Sequence, residues 1–483
     1  EVAKDKYVSG IYKYNEKVDL VLTNKFENPK TNNNLLIMMY LLLIILIITV
    51  AVLMNNNKYK KFIPIFILLI LPFIVNAECK QIIEIEANID IKDTYGKKCT
   101  GEIIRDNIIP DLYRAPYTII DNYVYEEIRD DDNNNLLGFR VKLEDFIQDQ
   151  KVDYEICSYI NGLPIISTEG MFYNNSNIES INLNNFDTRN VTNMEHMFSH
   201  SSINTLDLSD LDTSNVTNMN YMFSGSEINN IDVNNFNTSK VQKMDGMFYN
   251  SKINDLEISN FDTNNVETMK AMFSNFEGDK LTLKNMNNEK LKDINGFFAN
   301  SNINEVILDN FNTENVENMG SMFSSANIKK IDFSKLNTTN VIDMSGMFER
   351  TVIEKVNLSS FDTSNVENMQ SMFSESEIKE LDISNFNTSK VTTMNGMFYK
   401  TIMEELNISS FNTKNVKDMD FIFAYSKIKT LDLSSFELDS IEQSNRMFFN
   451  AEATTGYAKN QTLADYFNNN DRKPASLTFT VKQ

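Results

Sequence analysis

The chain has 483 residues and a formal charge of −22, from 45 Lys and Arg against 67 Asp and Glu. With no long block of basic residues, this balance argues against a nucleic-acid partner and against simple electrostatic attachment to an anionic membrane. Two histidines and three cysteines leave little material for metal or nucleophilic chemistry.

Residues 1–34 are polar and aperiodic, and no fold is read into them. Leu35 to Met54 is an apolar run broken only by Thr49. At ~1.5 Å per residue it is long enough to cross the ~30 Å hydrocarbon core of a bilayer. A second pattern starts at Met54: Lys58, Lys60 and Lys61, then Phe62 to Val75 with Pro64 and Pro72 inside, then Val75-Asn76-Ala77. That is the basic, apolar, small-residue order of a secretory signal peptide. On this reading residues 1–53 lie upstream of the mature protein, residues 54–77 are removed, and the mature chain begins at Glu78. The other reading is a membrane hairpin, a tether through residues 35–75 with its lysine-rich loop in the cytoplasm. Both place the rest of the chain outside the cell.

Residues 78–165 are non-repetitive. Ile85 to Ile91 and Phe139 to Leu143 alternate as strands do, Asp130 to Asn135 is a loop, and the segment is expected to form an amino-terminal cap domain. All three cysteines, Cys79, Cys99 and Cys157, fall here. A disulfide is expected in an oxidising compartment, and although sequence alone leaves the pairing open, Cys79 with Cys99 is the preferred candidate.

From residue 166 to 448 one dipeptide returns. Met171-Phe172 and Met197-Phe198 are 26 residues apart, and from there Met222-Phe223 and its successors follow every 25 residues to Met447-Phe448. Fixed-period self-similarity means stacked repeats, each unable to bury its apolar face alone. Within a unit, Leu206-Asp207-Leu208 alternates as a short strand does. Val216, Met219, Met222 and Phe223 have the spacing of a short helix, and Asp212-Thr213-Ser214 stands where a helix start would be capped. The expected fold is therefore an α/β repeat solenoid, a coil with one parallel sheet and short helices. Residues 449–483 are expected to close the array, with Tyr457, Leu463, Tyr466, Phe467, Leu477, Phe479 and Val481 covering its last face.

Leu206-Asp-Leu-Ser209, Phe361-Asp-Thr-Ser-Asn-Val366 and Met344-Ser-Gly-Met-Phe348, with the closing Gly456-Tyr457-Ala458 and Leu477-Thr-Phe479, resemble the BspA-like leucine-rich repeat surface proteins. That family includes a branch of mycoplasma repeats of unknown function. The resemblance covers about residues 165–483. It implies a leucine-rich-repeat solenoid at a cell surface, adhesion to host matrix or other cells, and no catalytic residues.

No catalytic motif stands against that implication. His196 and His200 are four residues apart without a patterned acid, and are read as polar substitutions at variable positions. No cofactor and no metal is expected. The acidic column Asp207, Asp232, Glu257, Asp332, Asp382 and Asp432 could attract a cation, but it lacks calcium-loop spacing. The Met and Phe columns are read as core. The expected function is protein binding or adhesion by a secreted or cell-surface monomer, with a passive spacer or coat as the alternative. The expected contact patch lies in the one unit that departs from its neighbours, residues 276–308. There Lys280 and Lys284 make a basic strip, Ile307 adds an apolar contact, and Phe276 stands at the rim.

Overall fold

The computed structural model describes residues 96–483 except 105–114, 122, 133, 144–150, 153–154, 176–179, 182, 184, 204, 229–230 and 354. The segments read above as membrane helix and signal peptide lie outside these residues. Among the described residues no helix is long and apolar enough to cross a membrane.

The first described elements are β1 (Lys97–Cys99), β2 (Tyr117–Ile120), β3 (Tyr123–Arg129), β4 (Leu136–Leu143), β5 (Lys151–Val152), β6 (Cys157–Ile160) and β7 (Leu163–Ser167). All but β5 form one sheet in the order β1-β6-β7-β4-β3-β2. Tyr123, Tyr125, Phe139, Val141 and Ile165 are buried in it and join the core that continues through the repeats. Glu126 is buried too. Burial alone would raise its carboxyl, but Lys142 at 2.9 Å and Arg140 at 2.5 Å hold it below the ordinary glutamate value.

The disulfide joins Cys99 to Cys157, whose Cα atoms are 5.9 Å apart. This corrects the expected pairing of Cys79 with Cys99, and Cys79 lies outside the described residues. β1 runs parallel to β6, which brings together two cysteines 58 residues apart in sequence.

β7 leads straight into a β-solenoid of about 13 turns. Its short strands are β8 (Ser180–Ile181), β9 (Thr205–Leu206), β10 (Asp255–Ile258), β11 (Glu277–Lys284), β12 (Asn302–Asp309), β13 (Asn327–Lys330), β14 (Thr430–Leu433), β15 (Thr455–Ala458) and β16 (Thr478–Val481). They fall into three short parallel sheets, β5-β8-β9, β10-β11-β12-β13 and β14-β15-β16, most of whose neighbours pair with a register of 25 residues, as Leu256 with Leu281 and Leu281 with Val306. A second ladder of single bridges, Asn193 to Asn218 to Lys243 and on to Gln443, runs up another side of the coil.

The repeat solenoid stands, but its expected α/β character does not. The Val-x-x-Met-x-x-Met-Phe segments are chains of tight turns, and α1 (Gln461–Asn468) is the one α-helix among the described residues. The hydrogen bonds say why. Met222 N–H donates to Met219 O at 3.4 Å and Ser224 N–H to Tyr221 O at 3.0 Å, each closing a turn inside the coil. The alternate donors leave it: Tyr221 N–H reaches Asp245 O at 2.8 Å and Phe223 N–H reaches Met247 O at 2.9 Å in the next coil. A helix would need those donors for carbonyls four residues back. Each of these turn segments also takes positive φ at two positions four residues apart, such as Tyr221 at 54° and Gly225 at 66°, which no α-helix accommodates. Three-residue turns place apolar side chains at the same spacing as a helix, so periodicity alone could not separate the two.

The Phe of each dipeptide stacks on the next. From Phe172 through Phe223 and Phe323 to Phe448 the ring centroids are 5.4–6.1 Å apart, and the planes differ by no more than 20°. The Asp/Asn-Thr pair has its own task. Thr213 is buried, its Oγ1 donates to Asn237 O at 3.1 Å and accepts from Asn237 N–H at 2.7 Å, and the arrangement repeats from Thr313 to Thr413. These threonines tie coil to coil rather than start helices.

At the far end β15 and β16 extend the β14 sheet, and α1 folds across the last coil. Phe467 meets Phe448 edge-on at 6.0 Å and Phe479 lies 5.0 Å from it, so the Phe column ends against aromatic rings. Of the seven residues expected to cover this end, Phe467, Leu477 and Phe479 are buried. Tyr466 and Val481 stay exposed, though the Tyr466 hydroxyl hydrogen-bonds Ser444 Oγ at 2.5 Å.

Candidate functional site

The face carrying β10 to β13 holds the expected contact residues, and it sorts them differently. Phe276 is fully buried and does not stand at a rim. Its ring meets Phe273 edge-on at 5.6 Å. Lys284 lies partly covered on β11 and pairs with Glu257 at 2.9 Å. Lys280 is exposed, and Ile307 is half-exposed beside the buried Thr282, its partner in register.

Lys280 does not belong to a basic strip. In register, Asp255 faces Lys280, Lys280 faces Glu305, and Glu305 faces Lys330, so the outward row alternates in sign. Opposite charges side by side on neighbouring strands favour pairing. The Lys330 ammonium donates to Glu305 and, with the charges of Lys330 and Lys280, holds that carboxyl below the ordinary glutamate value. Two members of the acidic column are occupied as well. Asp332 and Asp382 each accept from the hydroxyl and the amide of the serine two residues on, which lowers both carboxyls.

Past Lys330 the alternation fails, and so does the ladder. The same row continues Lys355, Glu380 and Glu405. Among the described residues Lys355 pairs with Glu380, but no bridge joins Lys330 to Lys355 or Glu380 to Glu405. Like charges in register oppose pairing by a few tenths to ~1 kcal/mol each. The next inward position is then only half covered: Ile331, Val356, Leu381 and Leu406 are each part-exposed, where Leu256, Leu281 and Leu431 are buried. These four coils line an open groove of about 1300 Å³. The sequence reading missed the groove. Its trace was two lysines followed by two glutamates at one repeat position.

His196 and His200 sit at the two positive-φ positions of one coil rather than on a helix. His196 stacks on Tyr221 at 5.0 Å, and His200 meets Tyr173 edge-on at 5.7 Å. No group of three or more His, Cys, Asp or Glu is placed to hold a metal among the described residues.

Three overlapping stretches, residues 166–284, 275–380 and 351–461, match the family model described as Mycoplasma protein of unknown function, DUF285. Together they span more than half of the chain. No curated protein and no solved structure matches it.

Proposed function

The chain belongs to that Mycoplasma family of unknown function, and on this premise we propose that it is a secreted or cell-surface binding protein whose strand face contacts protein or cell-surface ligands, host matrix among them. The observation that carries the reading is Ile307. It is a half-exposed apolar side chain in the outward row where most neighbouring coils place Asp or Asn, with Lys280 and Lys284 on the adjacent strand. An apolar contact inside a charged rim is the arrangement that holds and orients a protein partner. The rigid ladder of β11 and β12, the two eight-residue strands of the array, gives that contact a fixed frame.

The resemblance to BspA-like leucine-rich repeat surface proteins supports a surface location and an adhesive role. No enzymatic step is assigned. A passive spacer is the competing reading, and the evenness of the Phe and Thr ladders favours it. Pull-down with the full chain against matrix preparations and cell surfaces separates the two. Specific capture supports the binder, and no capture from any source supports the spacer.

A further inference from the structure

The four-coil groove carries charge in a pattern that reads differently from its two ends. In coil order the outward row is Lys330, Lys355, Glu380, Glu405, and the row two residues on is Asp332, Asn357, Asp382, Asn407. All eight are exposed, and between the rows runs the half-exposed Ile331, Val356, Leu381, Leu406.

Reversing the order of coils, as a two-fold axis parallel to the strands does, sets each row against its own reverse. With the axis between the Lys355 and Glu380 coils, Lys330 faces the partner's Glu405 and Lys355 faces the partner's Glu380. Asp332 then faces the partner's Asn407, and Asn357 faces the partner's Asp382. Every cation meets a carboxylate, and every carboxylate of the second row meets an amide donor. The exposed edge of the apolar row lies between the two charged rows and is covered by the contact.

We propose that this groove is a self-association surface, and that two copies of the chain join through it with their solenoid axes antiparallel. A two-fold interface requires one patch to be complementary to itself, with residue i on j and j on i, and this is what the rows provide. It also accounts for Lys330 beside Lys355 and Glu380 beside Glu405 within one chain. Those neighbours weaken the chain's own ladder. Lys330 already pairs with Glu305 and Lys355 stands beside Glu380 within the chain, and the two-fold sets a second opposite charge against each of the four. The ion pairs set the register and the apolar row is covered, as in other interfaces where charge fixes orientation. The expectation of a monomer gives way to a dimer. The surface lies on other coils than Lys280 and Ile307, so ligand binding and self-association fail independently.

The test is sedimentation equilibrium of the full chain, in one nonionic detergent throughout because of the apolar run at residues 35–75. The wild type is expected to be dimeric at micromolar concentration. Lys355→Glu sets Glu on the partner's Glu380, and Glu380→Lys sets Lys on the partner's Lys355. Each alone should weaken dimerisation by about tenfold or more. An equimolar mixture of the two variants should recover the dimer, because every cross-chain pair is again opposite in sign. The pair inside each chain remains broken, so recovery reports the interface and not the fold. The double variant Lys355→Glu with Glu380→Lys should dimerise as the wild type does. A monomeric wild type, association unchanged by either reversal, or a mixture no better than its components would overturn the proposal.

Discussion

Phe276 fills the space that Gly278 leaves empty: a Cβ placed on Gly278 would lie 2.8 Å from Cε1 of the Phe276 ring and 2.4 Å from Ile253 O. The neighbouring coil has Ser251 and Ile253 at these positions, small then large, and here the sizes are exchanged. Met286 and Phe297 trade sizes in the same coil, since neighbours carry Phe261 and Met272, and all four residues are fully or almost fully buried. The unit that departs from the repeat is therefore a repacked layer, and its irregularity lies mostly inside.

Phe276→Ser alone should open a cavity and cost ~3–5 kcal/mol, and Gly278→Ile alone should overpack the layer by ~1–3 kcal/mol. Made together they restore the residues of the neighbouring coil. The pair should cost clearly less than the sum of the singles in urea unfolding. Additive losses would mean that the two sites do not share space.

For the disulfide, peptide mapping without reduction should recover Cys99 linked to Cys157. Cys157→Ser should lower stability by ~2–5 kcal/mol, because the bridge closes a loop of 58 residues. Recovery of a Cys79 to Cys99 peptide would contradict the pairing described here.

At the carboxy-terminal end, Phe479→Asp or removal of residues 449–483 uncovers Phe448 and the edge of β14. An open apolar face beside an unpaired strand recruits other chains, so aggregation on warming is expected. A truncated chain that stays soluble with an unchanged cooperative melt would make the tail a linker.

How far the sequence could be read depended on whether a feature repeats. The Met-Phe column, the apolar positions around it and the aromatic tail were legible, because a buried ladder demands the same side chain every 25 residues. The turns at Tyr221 and Gly225 were not, since their apolar spacing imitates a helix and their positive φ falls on residues as different as Tyr, Ala, Arg and Gly. Phe276 was misplaced for a related reason. A large residue in a column of small ones suggests exposure until the compensating glycine two positions on is seen. The basic strip dissolved once strand register was known, because the partners of Lys280 are Asp255 and Glu305, each 25 residues away.

The central claim, recognition through the strand face, is tested most directly by capturing matrix proteins on the immobilised full chain and on the variant Lys280→Glu with Ile307→Asp. Neither residue is fully buried, so the variant is expected to fold. Because a glutamate at position 280 would face Asp255 and Glu305, a slightly lower melting temperature is expected, and capture is compared well below both transitions. Its affinity for the partner recovered by the wild type should fall by at least ~2 kcal/mol. Equal capture by a well-folded variant would contradict the account and leave the face a uniform spacer.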